Sequence, residues 1–193
     1  MESKTFADTQ CPIARAVDSV GEWWSILILR EALYGVTRFD EFEKALRIAP
    51  TMLTRRLKSL VESGVLERRI YSERPARYEY ILTDAGRDFR SVIVALHAWG
   101  NRHLALEGAS VVLVNAKSGA VAEPVLVDRD SGAPITSEDF VFAPGPAANE
   151  RTVKRLGIAR ALLSQCEAAA DAAAKPKTGK TGKANASTDR NRK

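Results

Sequence analysis

Basic side chains are concentrated between residues 47 and 77, where they could bind a polyanion. This stretch holds eight basic and three acidic residues, a net charge of +5. The basic residues are Arg47, Arg55, Arg56, Lys58, Arg68, Arg69, Arg74 and Arg77. Lysine and arginine bind nucleic acids largely by neutralising phosphates and releasing their counterions. A run of charge alone usually marks only a solvated surface. The secondary structure that carries these residues is therefore needed to distinguish a nucleic-acid-binding surface from a merely solvated one.

The first of these elements is a predicted helix that begins at Pro50. Proline suits the first helical turn, because the N–H that it lacks has no partner there. One apolar stripe recurs at helical spacing and consists of Leu53, Leu57, Leu60 and Val61. Gly64 follows, and glycine is the residue that best tolerates the positive φ found just after many helices. The pattern therefore predicts an amphipathic helix that rests on leucines.

The opposite side of this helix is polar and basic. It carries Thr51, Thr54, Arg55 and Lys58, and we predict that these four residues face DNA. Arg55 is the best candidate for a bidentate contact with guanine, which arginine recognises through O6 and N7. Arg56 lies beside the apolar stripe, so it either contacts a phosphate or pairs with a carboxylate of the same chain.

A hairpin and a preceding helix complete the unit. The runs VLERRIYS and YEYIL surround the turn ERPAR, a pattern typical of two strands joined by a tight loop. Arg74 and Arg77 flank Pro75 at the tip, where we predict contacts with the DNA backbone or minor groove. The short amphipathic helix predicted within RFDEFEKALRI, whose apolar residues end at Leu46, precedes the basic helix by only three or four residues, which is the spacing of a helix–turn–helix. The sequence thus predicts a winged helix–turn–helix with its basic helix in a major groove.

The ordered set of segments resembles the HxlR family of MarR-like winged-helix transcription regulators. The resemblance covers about residues 11–100 and includes CPI, the tryptophan segment EWWSILILREALYG, APTMLTRRLKSLVESGVLERR, the hairpin and LTDAGR. It implies a homodimer that binds double-stranded DNA at a near-palindromic operator, with terminal helices forming the dimer contact, and we expect a repressor. Ala49 departs from the family, which often has Ser or a similar cap there. Alanine cannot cap by its side chain, at a cost of about 1 kcal/mol of helix stability.

The stretch TDAGRDFRSVIVALHAWGNRHLAL predicts one long helix that begins at Thr83 or Asp84. Its apolar residues form a stripe: Phe89, Val92, Ile93, Leu96 and Trp99. The stripe either closes its own domain or packs against a second subunit. We expect a dimer, because a protein that reads two half-sites needs a fixed distance between its two reading helices.

Cys11 stands directly before Pro12, at the predicted start of the first helix. Helix N–H groups and the helix dipole stabilise a thiolate at such a position. In the HxlR family a cysteine at the matching place serves in some members as a redox or electrophile sensor, and the resemblance implies the same role for Cys11. The alternative is a buried, inert cysteine near the dimer contact. The other cysteine, Cys166, is too distant in sequence to suggest a dithiol or metal motif.

The fold class predicted is mainly α, with a small β-hairpin wing and a small β-rich C-terminal extension. We expect four segments: a flexible N-terminus at 1–10, a DNA-binding and dimerisation domain at 11–107, a β-rich extension with a C-terminal helix at 108–166, and a disordered basic tail at 167–193. The extension serves either as a packing brace or as a site for a small molecule or another partner. Some family members carry a His and a Cys-Gly in this extension. Here Asn115 and Ser118 occupy those places, so we expect no metal.

Composition and motifs exclude several other functions. The N-terminus lacks the apolar region of a signal peptide, the longest apolar run is too short to cross a bilayer, and cysteine use fits a reducing compartment, so we expect a cytoplasmic protein. There is no dinucleotide-binding loop and no nucleophile motif, so we expect neither a cofactor nor an enzyme. The rival hypothesis is a winged helix that binds protein rather than DNA sequence. This hypothesis predicts that the exposed face of the helix is neutral or acidic. The basic residues Arg55 and Lys58 on that face argue against it.

Overall fold

A computed structural model of the chain describes residue 6 and residues 9–157. Over this part the chain is mainly helical, with one antiparallel hairpin. The elements in chain order are α1 (Pro12–Val20), α2 (Trp23–Leu33), α3 (Phe39–Leu46), α4 (Pro50–Glu62), β1 (Leu66–Glu73), β2 (Ala76–Leu82), α5 (Asp84–Asp88) and α6 (Arg90–His103). This order of helices and hairpin confirms the predicted fold class.

The core lies beneath α4. The predicted leucine stripe is its centre, and Leu53, Leu57 and Leu60 are fully buried. They pack in one cluster with side chains from α2, α3 and the base of the hairpin, of which the largest fully buried ones are Ile28, Leu29, Phe42 and Leu66. Burying a side chain of this size contributes roughly 1.5–3 kcal/mol relative to its exposure. The leucines therefore fix which side of α4 faces outward.

A three-residue turn joins α3 to α4, as the sequence predicted. Arg47 ends α3 in the left-handed region, with φ of 50°, and Pro50 opens α4. Ala49 is the N-cap residue and makes no side-chain capping bond. At the other end of α3, Oε2 of Glu41 accepts hydrogen bonds from the backbone N–H groups of Arg38 and Thr37, at 3.0 and 3.3 Å. This carboxylate also suits the positive end of the helix dipole.

The hairpin pairs β1 with β2 from Leu66↔Leu82 to Glu73↔Ala76. Arg74 and Pro75 form the two-residue loop, so the predicted tip is where the sequence placed it. The register shifts between Ile70 and Ser72. At the base of the hairpin, the backbone N–H of Tyr80 donates to the carbonyl of Thr37 at 2.7 Å. This bond attaches the hairpin to the segment that leads into α3.

The predicted long helix after the hairpin is divided into α5 and α6 at Phe89. Phe89 packs against the core, and its ψ of −12° departs from the helical value, which bends the chain there. Thr83 is the N-cap, and its Oγ1 accepts from the N–H of Gly86 at 3.2 Å. Gly86 lies so close to the hairpin base that an added Cβ would stand 2.3 Å from the carbonyl oxygen of Val65. The glycine in LTDAG is therefore required by this close approach.

The extension after α6 contains a tandem repeat with a period of 13 residues. VLVNAKSGA at 112–120 is followed by VLVDRDSGA at 125–133. Each copy forms a turn with a single bridge between its flanks, Val114↔Val121 in the first and Val127↔Pro134 in the second. The predicted strands of this region are thus reduced to short paired segments. Within the extension that was predicted to be β-rich, the segment DFVFAPGP at 139–146 has no strand residues. Its two prolines and its glycine explain the difference, because proline and glycine both disfavour strand pairing.

The two turns have the same hydrogen bonds. Asn115 N donates to Ala120 O and Asp128 N to Ala133 O, each at 2.8 Å. The side chain of Asn115 accepts from the N–H of Ser118 at 3.0 Å, and that of Asp128 accepts from the N–H of Ser131 at 2.9 Å. Hydrogen bonds to the carboxylate lower the pKa of Asp128 from its ordinary value. The largest effect comes from the Ser131 hydroxyl, and backbone N–H groups have a smaller effect. Asn115 and Asp128 therefore serve to close these turns.

Residues 142–157 belong to a second unit, which is helical from residue 150 to residue 157. The predicted tail, most of the N-terminus and the rest of the C-terminal helix lie outside the described residues. Among the helices that are described, none combines the length and the apolar character needed to cross a membrane.

Candidate nucleic-acid interface

The polar side of α4 is open in the structure. Thr51, Thr54, Arg55 and Lys58 are all exposed, on the side opposite the buried leucines. Thr54 Oγ1 donates a hydrogen bond to the carbonyl of Pro50 at 2.8 Å. Lys58 Nζ lies 3.6 Å from Glu62 Oε1. This exposed pair contributes only about 0.3–0.5 kcal/mol, so a phosphate can replace Glu62 at little cost.

Arg56 lies on a different side of α4 from these four residues. Its Nη2 is 2.9 Å from Oε2 of Glu22, and its side chain is only 11% exposed. Its Nε is buried and has no hydrogen-bond partner in the described part of the chain. The sequence left two partners open for Arg56, a phosphate and a carboxylate of the same chain. In the structure Arg56 pairs with the carboxylate of Glu22. Arg56 therefore lies beside the N-terminus of α2 rather than with the exposed set.

The hairpin carries four arginines in two arrangements. Arg74 and Arg77 are exposed at the tip. Arg69 is bound to Glu79, with Nε and Nη2 at 3.0 and 2.9 Å from the same carboxylate oxygen. Arg68 stacks on Tyr78, with 3.5 Å between its guanidinium carbon and the ring centroid. The two arginines along the strands are thus engaged within the hairpin, and the two at the tip are available to a partner.

Arg38, which was not among the residues predicted to bind DNA, also belongs to this basic surface. Its guanidinium lies 4.6 Å from the ring centroid of Tyr71. Together with Arg77 it lines a cavity of about 440 Å³ between the start of α3 and the hairpin. Arg38 precedes α3 and is more than thirty residues from Tyr71 in the chain. Only the folded arrangement brings the two together, so no spacing rule could reveal the contact.

Cys11 occupies the N-cap position of α1, as predicted, and is half-buried. Its backbone N–H donates to Thr9 Oγ1 at 3.2 Å, and its carbonyl accepts from the N–H of Arg15 at 3.1 Å. Cys11 therefore stands at the N-terminus of a nine-residue helix, where the helix dipole favours a thiolate.

Apolar side chains that would normally be buried are exposed on α1 and α6, and Trp23 of α2 is exposed as well. On α1, Ile13 is 65% exposed and Val17 is 52% exposed. On α6, none of the 14 residues is buried, and Trp99 is 54% exposed. Val92 and Leu96, which belong to the predicted stripe of α6, are also exposed. Exposed apolar surface of this kind commonly marks a protein interface.

A three-residue turn between two helices, an open basic face on the second helix and an arginine-tipped hairpin define a winged helix–turn–helix protein. The family model described as HxlR-like helix-turn-helix matches residues 19–107. The chain belongs to the HxlR family, as the sequence motifs had indicated. It is accordingly a helix–turn–helix transcriptional regulator of a DNA-binding family and not an enzyme.

Relatives with similar sequences carry matching names. The HTH-type transcriptional regulator Rv3095 of Mycobacterium tuberculosis (strain H37Rv) is 42% identical over 135 residues, which cover 69% of this chain and 85% of that protein. The HTH-type transcriptional regulator sll1512 of Synechocystis is 38% identical over 108 residues, covering 55% of this chain and 80% of the relative. A match of 135 residues cannot fit within residues 1–107, so Rv3095 shares part of the extension.

Two solved structures have similar folds. PA1374 of Pseudomonas aeruginosa, described as a transcription factor, is 53% identical, with a TM-score of 0.57 over 76% of this chain and all of that chain. PA1607, described in the same way, is 36% identical, with a TM-score of 0.66 over 74% of this chain and all of that chain. Both matches also extend past the family model into the extension.

Proposed function

We propose that the protein is a dimeric, sequence-specific DNA-binding repressor. In this proposal α4 enters the major groove, and the hairpin tip contacts the backbone or the adjacent minor groove. The observation that carries it is the uncovered face of α4, with Thr51, Thr54, Arg55 and Lys58 exposed beside an arginine-tipped hairpin. Residues 11–107 are the proposed DNA-binding and dimerisation domain.

The exposed face of α4 has the chemistry that base recognition needs. Arginine forms two hydrogen bonds with guanine, and threonine methyl groups contact the methyl group of thymine. Lys58 supplies a charge for phosphate, since its only described ion pair is the weak one with Glu62. Arg74 and Arg77 add two further cations at the hairpin tip. Arg55 thus carries the proposed specificity, and the remaining basic residues carry affinity.

A protein-interaction module is less well supported by the same surface. Interfaces between proteins are typically depleted of lysine at their centre. Here the face of α4 has exposed Arg55 and Lys58 at its middle and no apolar side chain among the exposed four. Exposed apolar side chains occur instead on α1 and α6, as well as on the extension, which supports a division between a DNA face and a subunit face.

Dimerisation through α1 and α6 would bury that apolar surface. Ile13, Val17, Leu96 and Trp99 are exposed apolar side chains on these two helices. A dimer with two-fold symmetry presents two α4 helices, so its operator is a near-palindrome with one half-site for each subunit. Bound across a promoter, such a dimer blocks polymerase without further contacts, which is the basis for proposing repression.

Cys11 is the proposed sensor of oxidants or electrophiles. Its place at the start of α1 favours the thiolate, which is the reactive form. Because α1 is one of the two helices proposed to form the dimer, oxidation at Cys11 would alter the subunit contact and hence the distance between the two α4 helices.

The experiment that tests the proposed function uses genomic DNA fragments, because it requires no operator to be known in advance. Fragments of the source genome are selected for binding to the purified full-length protein, sequenced, and titrated by fluorescence anisotropy at several salt concentrations. We expect an enriched near-palindromic motif that binds about 10³-fold or more tightly than scrambled DNA. Enrichment of no motif, with equal affinity for all fragments, would contradict sequence-specific binding.

A further inference from the structure

A cavity of about 350 Å³ lies between α6 and the first repeat of the extension. Its walls are mostly apolar and include Ala98 of α6 and Val112, Leu113 and Val121 of the repeat. The polar residues that line it are His97, Asn101, Arg102 and Glu123. A small, largely apolar cavity with a few polar groups is the usual form of a small-molecule site.

The walls of this cavity are joined by polar contacts. The carbonyl of Val111 accepts hydrogen bonds from His97 Nε2 and Asn101 Nδ2, both at 2.9 Å. On the other side, Arg102 Nη2 lies 3.3 Å from Glu123 Oε1. Both attachments run from α6 to the extension. A molecule in the cavity would therefore touch α6 directly, on the helix that also exposes Leu96 and Trp99.

Arg102 determines the charge of a suitable ligand. The described ion pair uses a single nitrogen, Nη2, although a guanidinium can hold a carboxylate through two parallel hydrogen bonds. Glu123 is 81% exposed, and an exposed pair of this kind contributes little, so a ligand carboxylate can replace it. The C-terminal end of a helix disfavours anions, and Arg102 is in the last turn of α6. Arg102 is the one arginine or lysine among the residues that line the cavity, so the binding of an anion there depends chiefly on Arg102.

We propose that this cavity is the effector site and that it binds a small apolar carboxylic acid. The apolar part of the acid packs against Ala98, Val112 and Val121, while its carboxylate takes the place of Glu123 on Arg102. Binding changes the contacts between α6 and the extension and, through α6, the subunit contact. The effector role rests on the proposed function as a DNA-binding dimer, whereas the binding of the acid does not.

The first test measures binding to the full-length protein without DNA. Hexanoate and benzoate are titrated by calorimetry, with hexanol and benzyl alcohol as uncharged controls of matched size. We expect both acids to bind about tenfold or more tightly than their alcohols. Arg102→Gln should reduce the affinity for the acids to that for the alcohols. Glu123→Gln should increase the affinity for the acids about two- to fivefold, because it removes the competing carboxylate.

The two variants replace exposed side chains, so their thermal unfolding should match that of the unmodified protein. Equal affinity for acids and alcohols would overturn the proposed ligand class, and acid binding unaffected by Arg102→Gln would overturn the site. In the second test, saturating acid should change the affinity for the selected operator in the unmodified protein and not in Arg102→Gln. Acid binding at Arg102 with no change in operator affinity would overturn the effector role. Failure to find any operator would count against the proposed function, and the calorimetric result would stand.

Discussion

Arg56 of α4 is paired with Glu22, the N-cap residue of α2, through a contact of 2.9 Å. The arginine side chain is 11% exposed and the glutamate side chain 55%. The carboxylate also stands at the positive end of α2, where a negative charge is favoured. This pair joins the proposed recognition helix to the helix beneath it. Arg56 therefore positions α4, and Arg55, its neighbour in sequence, is free to face outward.

Replacing Arg56 should reduce stability rather than sequence preference. Arg56→Ala leaves a cavity beside the leucine stripe and removes the partner of Glu22, so we expect a loss of about 1–3 kcal/mol in the free energy of unfolding. Lys58→Ala, on the exposed side of the same helix, should change it by no more than about 0.5 kcal/mol. Urea denaturation of both variants measures the difference. If Arg56→Ala were as stable as Lys58→Ala and bound DNA more weakly at every sequence, Arg56 would contact phosphate instead.

Replacing Arg55 should relax sequence preference at one position of each half-site. A bidentate contact between arginine and guanine provides about 1–3 kcal/mol of discrimination against other bases. Arg55→Ala should therefore lower operator affinity by that amount and leave affinity for scrambled DNA nearly unchanged. Lys58→Ala is the matched control, because it removes the same charge from the same face and should weaken both kinds of DNA alike. Anisotropy titrations on the two DNAs distinguish the variants, and identical profiles would remove Arg55 from the base-reading role.

The wing should contribute salt-dependent affinity without specificity. Arg74→Ala removes one proposed phosphate contact, so the slope of log affinity against log salt should become shallower by about 0.9. Arg77→Ala should act in the same way. Arg69→Ala provides the control, because Arg69 is already bound to Glu79 and should change the slope much less. A slope that stays the same in Arg74→Ala and Arg77→Ala would show that the tip does not touch the DNA backbone.

The features that the sequence predicted well are those that depend on local spacing. The leucines of α4, the proline at its start, the short turn before it and the position of Arg74 and Pro75 at the tip all follow from periodicity and turn chemistry. The division between α5 and α6 could not be predicted in this way. It depends on the packing of Phe89 against a core formed by distant parts of the chain. The contact of Arg38 with Tyr71 is hidden for the same reason.

The tandem repeat is a different case, because its signal was present in the sequence. VLVNAKSGA and VLVDRDSGA agree at six of nine positions. With only two copies, however, the repeat cannot be distinguished by sequence from two unrelated apolar runs that each precede a Ser-Gly turn. The shared hydrogen bonds of Asn115 and Asp128 identify the two copies as one structural unit that occurs twice.

The partner of Arg56 could not be predicted from residue spacing, since both a phosphate and a carboxylate fit the edge of an apolar stripe.

The proposed dimer contact should be sensitive to charge on α6. Leu96→Glu places a carboxylate within the exposed apolar stripe, where burial against a second subunit would remove it from water at a cost of several kcal/mol. We expect sedimentation velocity to show a dimer for the unmodified protein and a monomer for the variant. Ala85→Glu, an exposed position on α5, should remain dimeric. A Leu96→Glu protein that stayed dimeric would place the subunit contact elsewhere.

Treatment with diamide should change operator affinity through Cys11. A thiolate at the start of α1 reacts faster than an ordinary thiol, and a modified Cys11 would disturb a helix proposed to lie in the dimer contact. We expect diamide to change the operator affinity of the unmodified protein by about fivefold or more. Cys11→Ser should be insensitive to diamide, whereas Cys166→Ser, which retains Cys11, should respond like the unmodified protein. Equal affinities for Cys11→Ser and the unmodified protein after treatment would mean that Cys11 is an inert residue beside the helix start. A response lost only in Cys166→Ser would instead assign the reactive thiol to residue 166.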